Sequence, residues 1–228
     1  MSDLAMVETI LRDRRRFFAE IKEGRALPQK MRALLLASVA FLALYGAVMG
    51  STNSVWQALA SAGKLPLLFL ATLAVCAPTL YFFNLIFGST KSLSQDVALM
   101  LTAITVTAVV LLGCAPIVLF FLLTSSNYQF FKLLNVGVFA VAGLIGVMFL
   151  AQGMHALSAS GDGARARTAV VRLWIVVYAF VGSQAAWTLR PFVGAPSMQF
   201  ELFRQLGGNF YTDILASLGE VFGFFVVR

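Results

Sequence analysis

The stretch GSQAAWTLRPF, which closes the last long apolar run, holds the side chains whose types and spacing could do chemistry. Gln184, Trp187 and Arg190 are each three residues apart, so they share one face if the segment is helical. An arginine can stack on an aromatic ring or hold an acid, and Glu201 is a candidate partner for Arg190. The cluster predicts either an anchor that docks the tail, or a site for a lipid headgroup or an anionic ligand.

Groups that carry enzyme chemistry are otherwise scarce. The chain has a single histidine, His155, whereas intramembrane enzymes usually show ionisable residues within their spans. The sequence contains no acidic pair, metal-ligand cluster, phosphate-binding loop or nucleophile elbow. We therefore expect a protein that is not an enzyme and that needs no cofactor or metal.

The composition indicates a membrane protein. Of the 228 residues, 60% are hydrophobic and only 12% are charged, which is too little charge for a soluble domain. A helix needs about 20 apolar residues to cross a bilayer core of about 30 Å. Five runs free of Asp, Glu, Lys, Arg and His qualify, at roughly 33–50, 65–87, 97–124, 133–151 and 173–189. We therefore predict an all-α polytopic protein with about five transmembrane helices.

The basic residues predict how the chain is oriented. Eight of the 17 lysines and arginines precede residue 33, and basic segments stay on the cytoplasmic side of a membrane. Residues 1–32 then lie in the cytoplasm, 33–189 form the five-span domain, and the tail 190–228 lies outside. The net charge of +7 needs no nucleic acid to explain it. We expect a multi-pass protein of a bacterial inner (plasma) membrane, with the lipid bilayer as a partner.

Residues 3–22 have the pattern of an amphipathic helix. Val7, Leu11 and Phe18 recur at helical spacing, and Asp3 can cap the start. The remaining face carries most of an arginine run, Arg12, Arg14, Arg15 and Arg16. This pattern indicates a helix that lies on the membrane surface with its charges toward anionic headgroups, or a docking surface for a cytoplasmic partner.

The tail contains a second amphipathic segment. Two glycines at 207–208 break the chain, and Asn209 can cap a final helix with Asp213 near its positive end. Two acids in so short a run argue against a sixth span, so we expect an interfacial helix or one packed on a partner. Arg204, which precedes the break, belongs to the predicted binding cluster of the tail.

The phrase CAPTLYFF, which begins at Cys76, returns as CAPIVLFF, which begins at Cys114. Pro78 and Pro116 each remove an amide hydrogen and kink a helix, and the small residues before them let a neighbouring helix come close. In consecutive spans the copies run in opposite directions, as in the inverted repeats of transporters. Two independently kinked helices explain the same pattern. The inverted-repeat interpretation makes a channel or facilitator for a small neutral or apolar solute the alternative function.

A small-residue pair, Ala142 and Gly146, lies in the fourth run and favours close helix contact, within the chain or between subunits. Together with the scarcity of reactive groups, this pair points to a structural role. We expect a scaffold or accessory subunit of a membrane assembly, whose partners are other membrane subunits or further copies of this chain.

The five predicted spans, the long cytoplasmic N-terminal segment and the CAPTLYFFNLIFG style of the second span resemble the Yip family over about residues 33–190. That resemblance implies a non-enzymatic five-span membrane protein that acts through protein or lipid contacts. The chain lacks the acidic, glycine-containing motif of the eukaryotic members near the first span, and its tail is longer. Rab binding is therefore not implied.

Overall fold

The computed structural model describes residues 3–51, 53–86, 92–125, 127–157, 164–193, 200–203 and 208–221. All regular secondary structure within these ranges is helical, which confirms the predicted all-α class. The helices are α1 (Asp3–Arg12), α2 (Arg14–Lys22), α3 (Leu27–Gly50), α4 (Val55–Ile86), α5 (Leu93–Thr124), α6 (Tyr128–Leu157), α7 (Ala164–Leu189) and α8 (Phe210–Val221).

Among the described residues, four helices are long and apolar enough to cross a membrane: they supply the segments Leu27–Gly50, Val55–Phe83, Leu93–Thr124 and Tyr128–Leu157. These segments are compatible with a multi-pass membrane protein. They extend beyond the predicted apolar runs because helix formation does not stop where polar residues begin. α3 starts around Pro28, whose fixed φ suits a first turn. α5 starts with a capping box between Ser92 and Gln95.

The longer helices contain charged side chains that the apolar runs left out. Lys30 in α3, Lys64 in α4 and Asp96 in α5 are all buried. A charge can be buried in a protein when hydrogen bonds or an opposite charge compensate for the lost water. The partners of Lys30 and Lys64 therefore show which segments pack against these helices, which hydropathy alone does not reveal.

The helix predicted over residues 3–22 is two helices. The Asp13 side chain accepts a hydrogen bond from the backbone N–H of Arg16 (3.2 Å) and so starts α2 as its N-cap. Phe17, Phe18 and Ile21 on α2 are buried in the common hydrophobic core. The apolar face of α2 therefore rests on protein, while the arginines beside it stay exposed.

α3 lies at the centre of the bundle and packs against α4 and α5, while α6 packs on α5 and α7 packs on α4. α2 packs where α5 begins and α6 ends. α8 packs at the opposite end of the bundle, against α6 and α7. We call these two ends the α2 end and the α8 end.

α7 runs antiparallel to α4 along most of its length. Trp174, near its beginning, donates a hydrogen bond to the Cys76 carbonyl (3.1 Å). A Cβ added to Gly182 would lie 3.8 Å from the Thr72 methyl group. Beyond the end of α7 the chain reaches the first turns of α4, at Gln57. α7 is thus aligned with the long helices of the bundle rather than laid across one end.

Candidate functional site

Three polar side chains on α4 form a buried stripe at the α8 end. Gln57, Ser61 and Lys64 are 1%, 0% and 5% exposed, and their spacing places them on one face of the helix. They bind main-chain carbonyls of the segment that follows α7. We call that segment, residues 191–193 and 200–203, the strap.

The first half of the strap is held by an amide and a hydroxyl. Gln57 Nε2 donates to the Pro191 carbonyl (2.9 Å), and Ser61 Oγ donates to the Phe192 carbonyl (2.6 Å). Gln57 Nε2 also lies 3.3 Å from Ser61 Oγ, so the two side chains form one network. These bonds satisfy polar groups that would otherwise be costly to bury.

Lys64 holds both halves of the strap together. Its ammonium donates to the Pro191 carbonyl (3.2 Å) and to the Leu202 carbonyl, and it lies 4.9 Å from the centre of the Phe203 ring. None of the ion pairs among the described residues involves Lys64. Carbonyl dipoles and the face of an aromatic ring therefore stabilise this buried cation.

The same end of the bundle is closed by contacts between α6 and the tail. Tyr128 Oη donates to the Val193 carbonyl (3.4 Å), so the strap also touches α6. On α8, Asp213 pairs with Lys132 of α6 (2.9 Å). The strap and α8 together tie α7, α4 and α6 to one another.

α8 turns its polar side toward the bundle. Glu220 accepts a hydrogen bond from Gln129 of α6 (2.8 Å), and the Tyr211 hydroxyl lies 3.0 Å from Ser183 Oγ of α7. Leu215 and Leu218, by contrast, are exposed. The predicted N-cap is confirmed, because Asn209 Oδ1 accepts from the Thr212 N–H (2.9 Å). α8 therefore has the reverse of the usual arrangement, with apolar side chains outward.

Of the partner- or lipid-binding cluster predicted at the end of the fifth apolar run and in the tail, two members are in direct contact. The Arg190 guanidinium stacks on the Trp187 ring, 3.4 Å from its centre. The Trp187 Nε1 is buried, and no acceptor in the described part of the chain reaches it. Gln184 is half-buried on the same helix, Glu201 is exposed in the strap, and Arg204 lies outside the described residues. This stack lies at the end of α7, immediately before the strap.

Two glycines of α3 bring α4 unusually close beside the stripe. A Cβ on Gly46 would clash with the Ser61 carbonyl group, whose carbon would be 2.9 Å away. A Cβ on Gly50 would lie 2.5 Å from the main-chain carbonyl oxygen of Gln57. Gly46 and Gly50 thus act as a small-residue motif of the kind that lets two helix backbones touch.

The two CAP phrases have different surroundings. Cys76 is buried and its carbonyl accepts the indole N–H of Trp174, while Pro78 is exposed. In α5, Cys114 is half-buried and Pro116 is exposed. The indole of Trp174, on α7, thus contacts the first CAP phrase through a hydrogen bond.

The small-residue pair of α6 lies against α5. Ala142 is fully buried, and a Cβ on Gly146 would lie 2.8 Å from the Ala103 carbonyl and would clash with Thr107. These positions therefore serve a contact within the chain. Gly143 beside them has open space where a Cβ would be.

The α2 end is closed by α2 itself. Glu20 pairs with the buried ammonium of Lys30 and with Arg16 (3.1 Å). The hydrogen bond from Lys30 lowers the pKa of the Glu20 carboxyl, outweighing the opposing effect of burial. Gln95 of α5 donates to the Ile21 carbonyl (3.1 Å) and so caps the C-terminal end of α2.

The predicted surface arginines lie on α1 and α2 at this end. Arg12, Arg14, Arg15 and Arg16 are all exposed. Arg12 pairs with a neighbour one turn earlier, Glu8 (2.7 Å), in an exposed contact of little energetic weight. A basic surface thus borders the α2 end of the bundle.

A buried polar pair lies between α3 and α6. The Tyr45 hydroxyl donates to Asn135 Oδ1 (3.0 Å), and the Asn135 amide donates to the Phe131 carbonyl (2.9 Å). Tyr45 also meets Phe139 edge to face, with ring centres 5.6 Å apart. The pair is satisfied internally and fixes the position of α6 relative to α3.

The contacts that build these sites are hydrogen bonds, ion pairs and side-chain packing. Among the described residues no group of three or more His, Cys, Asp or Glu side chains could hold a metal ion. The sequence prediction missed the polar stripe and the Gly46–Gly50 motif. The spacing of Gln57, Ser61 and Lys64 at one face of a helix was the available signal, although their partners lie more than a hundred residues away in the chain.

Comparison with protein-family models, with curated proteins and with solved structures finds no match for this chain. The resemblance to the Yip family therefore stays a prediction, which rests on the predicted topology and on the CAPTLYFFNLIFG phrase.

Proposed function

We propose that this chain is a non-enzymatic integral membrane protein that crosses a bacterial inner membrane five times and acts as a scaffold or accessory subunit of a membrane assembly. The observation that carries the proposal is the outer surface of the bundle. Large apolar side chains are exposed along the long helices, among them Leu44, Val75, Phe120, Leu144 and Val176. Exposed apolar surface of this extent suits contact with lipid tails and with other membrane helices.

α7 is the proposed fifth crossing. It lies antiparallel against α4, a helix apolar enough to span. Its side away from α4 exposes Leu173, Val176 and Phe180. A helix beside a spanning neighbour, with an apolar outer side, fits the hydrocarbon core.

The α2 end is proposed to face the cytoplasm. The exposed arginines of α1 and α2 lie there, and basic residues are retained on the cytoplasmic side. With five crossings the α8 end is outside. The arginine surface then borders the anionic headgroups of the inner leaflet.

Both end elements are proposed to be interfacial. At the α2 end, protein covers the apolar face of α2 and the arginines meet the headgroups. At the α8 end, α8 directs Asp213 and Glu220 to α6 while Leu215 and Leu218 point outward. An apolar outer side with inward acids suits a helix buried shallowly in the outer leaflet.

Assembly is proposed to use the outer side of α6. Gly137, Ala140, Val141, Leu144 and Met148 are exposed at helical spacing on that side, and a Cβ on Gly137 would meet no atom within 4 Å. A second helix could approach closely at Gly137. The buried pair on the opposite side of α6 is already occupied by α5.

Extraction into polymer-bounded nanodiscs followed by mass measurement tests this proposal. We expect the native chain to run as an oligomer or with other membrane subunits, and Gly137→Ile to reduce that fraction several-fold. Gly113→Ile, at another open position on α5, is the matched control and should not reduce it. A chain that is monomeric and without partners in native nanodiscs would exclude the scaffold role.

The threonines of α5 do not support the alternative of a solute path. Thr102, Thr105 and Thr107 are buried and donate to the carbonyls of Ala98, Leu101 and Ala103 in their own helix. Such hydroxyls are engaged in backbone bonds rather than in lining water. Leak of neutral solutes from liposomes that contain the protein would nevertheless reopen the channel hypothesis.

A further inference from the structure

We propose that Gln57, Ser61 and Lys64 form a receptor for the chain's own strap, and that this receptor is a releasable latch that keeps the α8 end of the bundle closed. The stripe recognises main-chain carbonyls rather than particular side chains. The proposal goes beyond the scaffold role, and it does not depend on how many times the chain crosses the membrane.

The chemistry of the stripe favours recognition over simple packing. An apolar helix has no reason to bury an amide, a hydroxyl and an ammonium on one face unless each is satisfied there. Their donors meet three carbonyls of the strap, those of Pro191, Phe192 and Leu202. The side-chain donors of the stripe are therefore matched by the carbonyl acceptors of the strap.

Lys64 favours two positions of the strap, one seated on α4 and one released. When the strap is seated, its carbonyls and the Phe203 ring stabilise the buried ammonium. A partly lifted strap would leave a buried cation without compensation, which is costly. The strap is therefore either fully seated or fully released with Lys64 in water, and intermediate positions are disfavoured.

The latch acts on the neighbouring elements as well. Val193 is tied to α6 through Tyr128, and the chain beyond the strap continues to α8, which is seated on α6 and α7. On the far side, the contact with Gly46 and Gly50 of α3 fixes the stretch of α4 that carries the stripe. Release of the strap would thus loosen the attachment of α7 and α8 without disrupting the α3–α4 pair.

Maleimide labelling of a cysteine in the strap tests the latch. The reporter is Val193→Cys, a position 8% exposed, in a chain whose two native cysteines are replaced by alanine. We expect slow labelling when the stripe is intact. Lys64→Met should accelerate it about tenfold, and Ser61→Ala, which removes a single hydroxyl, about threefold.

Lys22→Met, an exposed lysine at the α2 end, is the matched control and should leave the rate unchanged. Rates are measured in permeabilised membranes, so a wrong topology cannot alter them and only the latch is at stake. Equal rates in the intact stripe, Lys64→Met and Ser61→Ala would overturn the proposal. So would an intact stripe whose Val193→Cys reacts as fast as a cysteine at the exposed Ala216.

Discussion

Several buried polar residues in the described part of the chain are paired with a specific partner. Lys30 meets Glu20, Lys64 meets the strap carbonyls, and Tyr45 meets Asn135. The Lys64 and Tyr45 contacts join elements that are distant in sequence, whereas the Lys30 contact joins the consecutive helices α2 and α3. Removing one member would leave the other buried and unpaired, which costs more than the bond itself contributes.

Replacing the Glu20 carboxylate tests the closure of the α2 end. Glu20→Gln should lower the free energy of unfolding by about 1–2 kcal/mol at neutral pH, because Lys30 loses its counter-charge. The pKa of Glu20 is lowered in the folded chain, so its contribution is complete above the ordinary carboxyl pKa. That contribution disappears as the pH falls through the lowered value.

Thermal unfolding in detergent at a series of pH values measures this effect. The difference between the native chain and Glu20→Gln should be largest near neutrality and vanish in acid. Glu8→Gln, at an exposed glutamate with an exposed partner, is the control. A difference that stays constant with pH would show that the carboxylate charge is not responsible.

The pair between Tyr45 and Asn135 is suited to a double-mutant cycle. Tyr45→Phe removes the hydroxyl with little change in packing, and Asn135→Leu replaces the acceptor. We expect the two effects on unfolding free energy to be non-additive by about 1 kcal/mol. Strict additivity would mean that the hydrogen bond does not contribute to stability.

The helices illustrate what sequence patterns can and cannot reveal. Long apolar runs predicted helices at the correct places, since hydrophobic length is a local property. The start of α4 was misplaced, because Gln57, Ser61 and Lys64 look like loop residues until the strap pairs with them. In the predicted tail cluster, the contact between Trp187 and Arg190 follows from their helical spacing, whereas the strap's binding site on α4 does not.

The contact between α3 and α4 gives a prediction about helix packing. Gly46→Ala should destabilise the protein by about 1–3 kcal/mol, because the new methyl group meets the backbone at Ser61, which cannot move aside as a side chain can. Gly143→Ala, where no atom lies within 4 Å, should be neutral or stabilise by up to about 1 kcal/mol.

Unfolding midpoints of the two alanine variants in the same detergent make the comparison. Opposite signs are expected for two identical chemical changes in two apolar helices. If Gly46→Ala and Gly143→Ala have the same unfolding midpoint, α3 and α4 do not approach each other as closely at Gly46 as in the structure.

The whole molecule is a helical bundle closed differently at its two ends. α2 closes one end through an ion pair and aromatic side chains, and the strap with α8 closes the other through main-chain carbonyls and acids. Between these ends, large apolar side chains are exposed along the long helices. The exposed arginines of α1 and α2 are the basis for the proposal that the α2 end faces the cytoplasm and the α8 end faces outside.

Cysteine labelling from one side of the membrane tests this placement most directly. In a cysteine-free chain, single cysteines replace Arg15 on α2 or Ala216 on α8, both exposed, and intact spheroplasts receive an impermeant maleimide. We predict that Ala216→Cys reacts on intact spheroplasts and that Arg15→Cys reacts only after permeabilisation. Reaction of both positions from the same side would mean an even number of crossings and would contradict the five-span account.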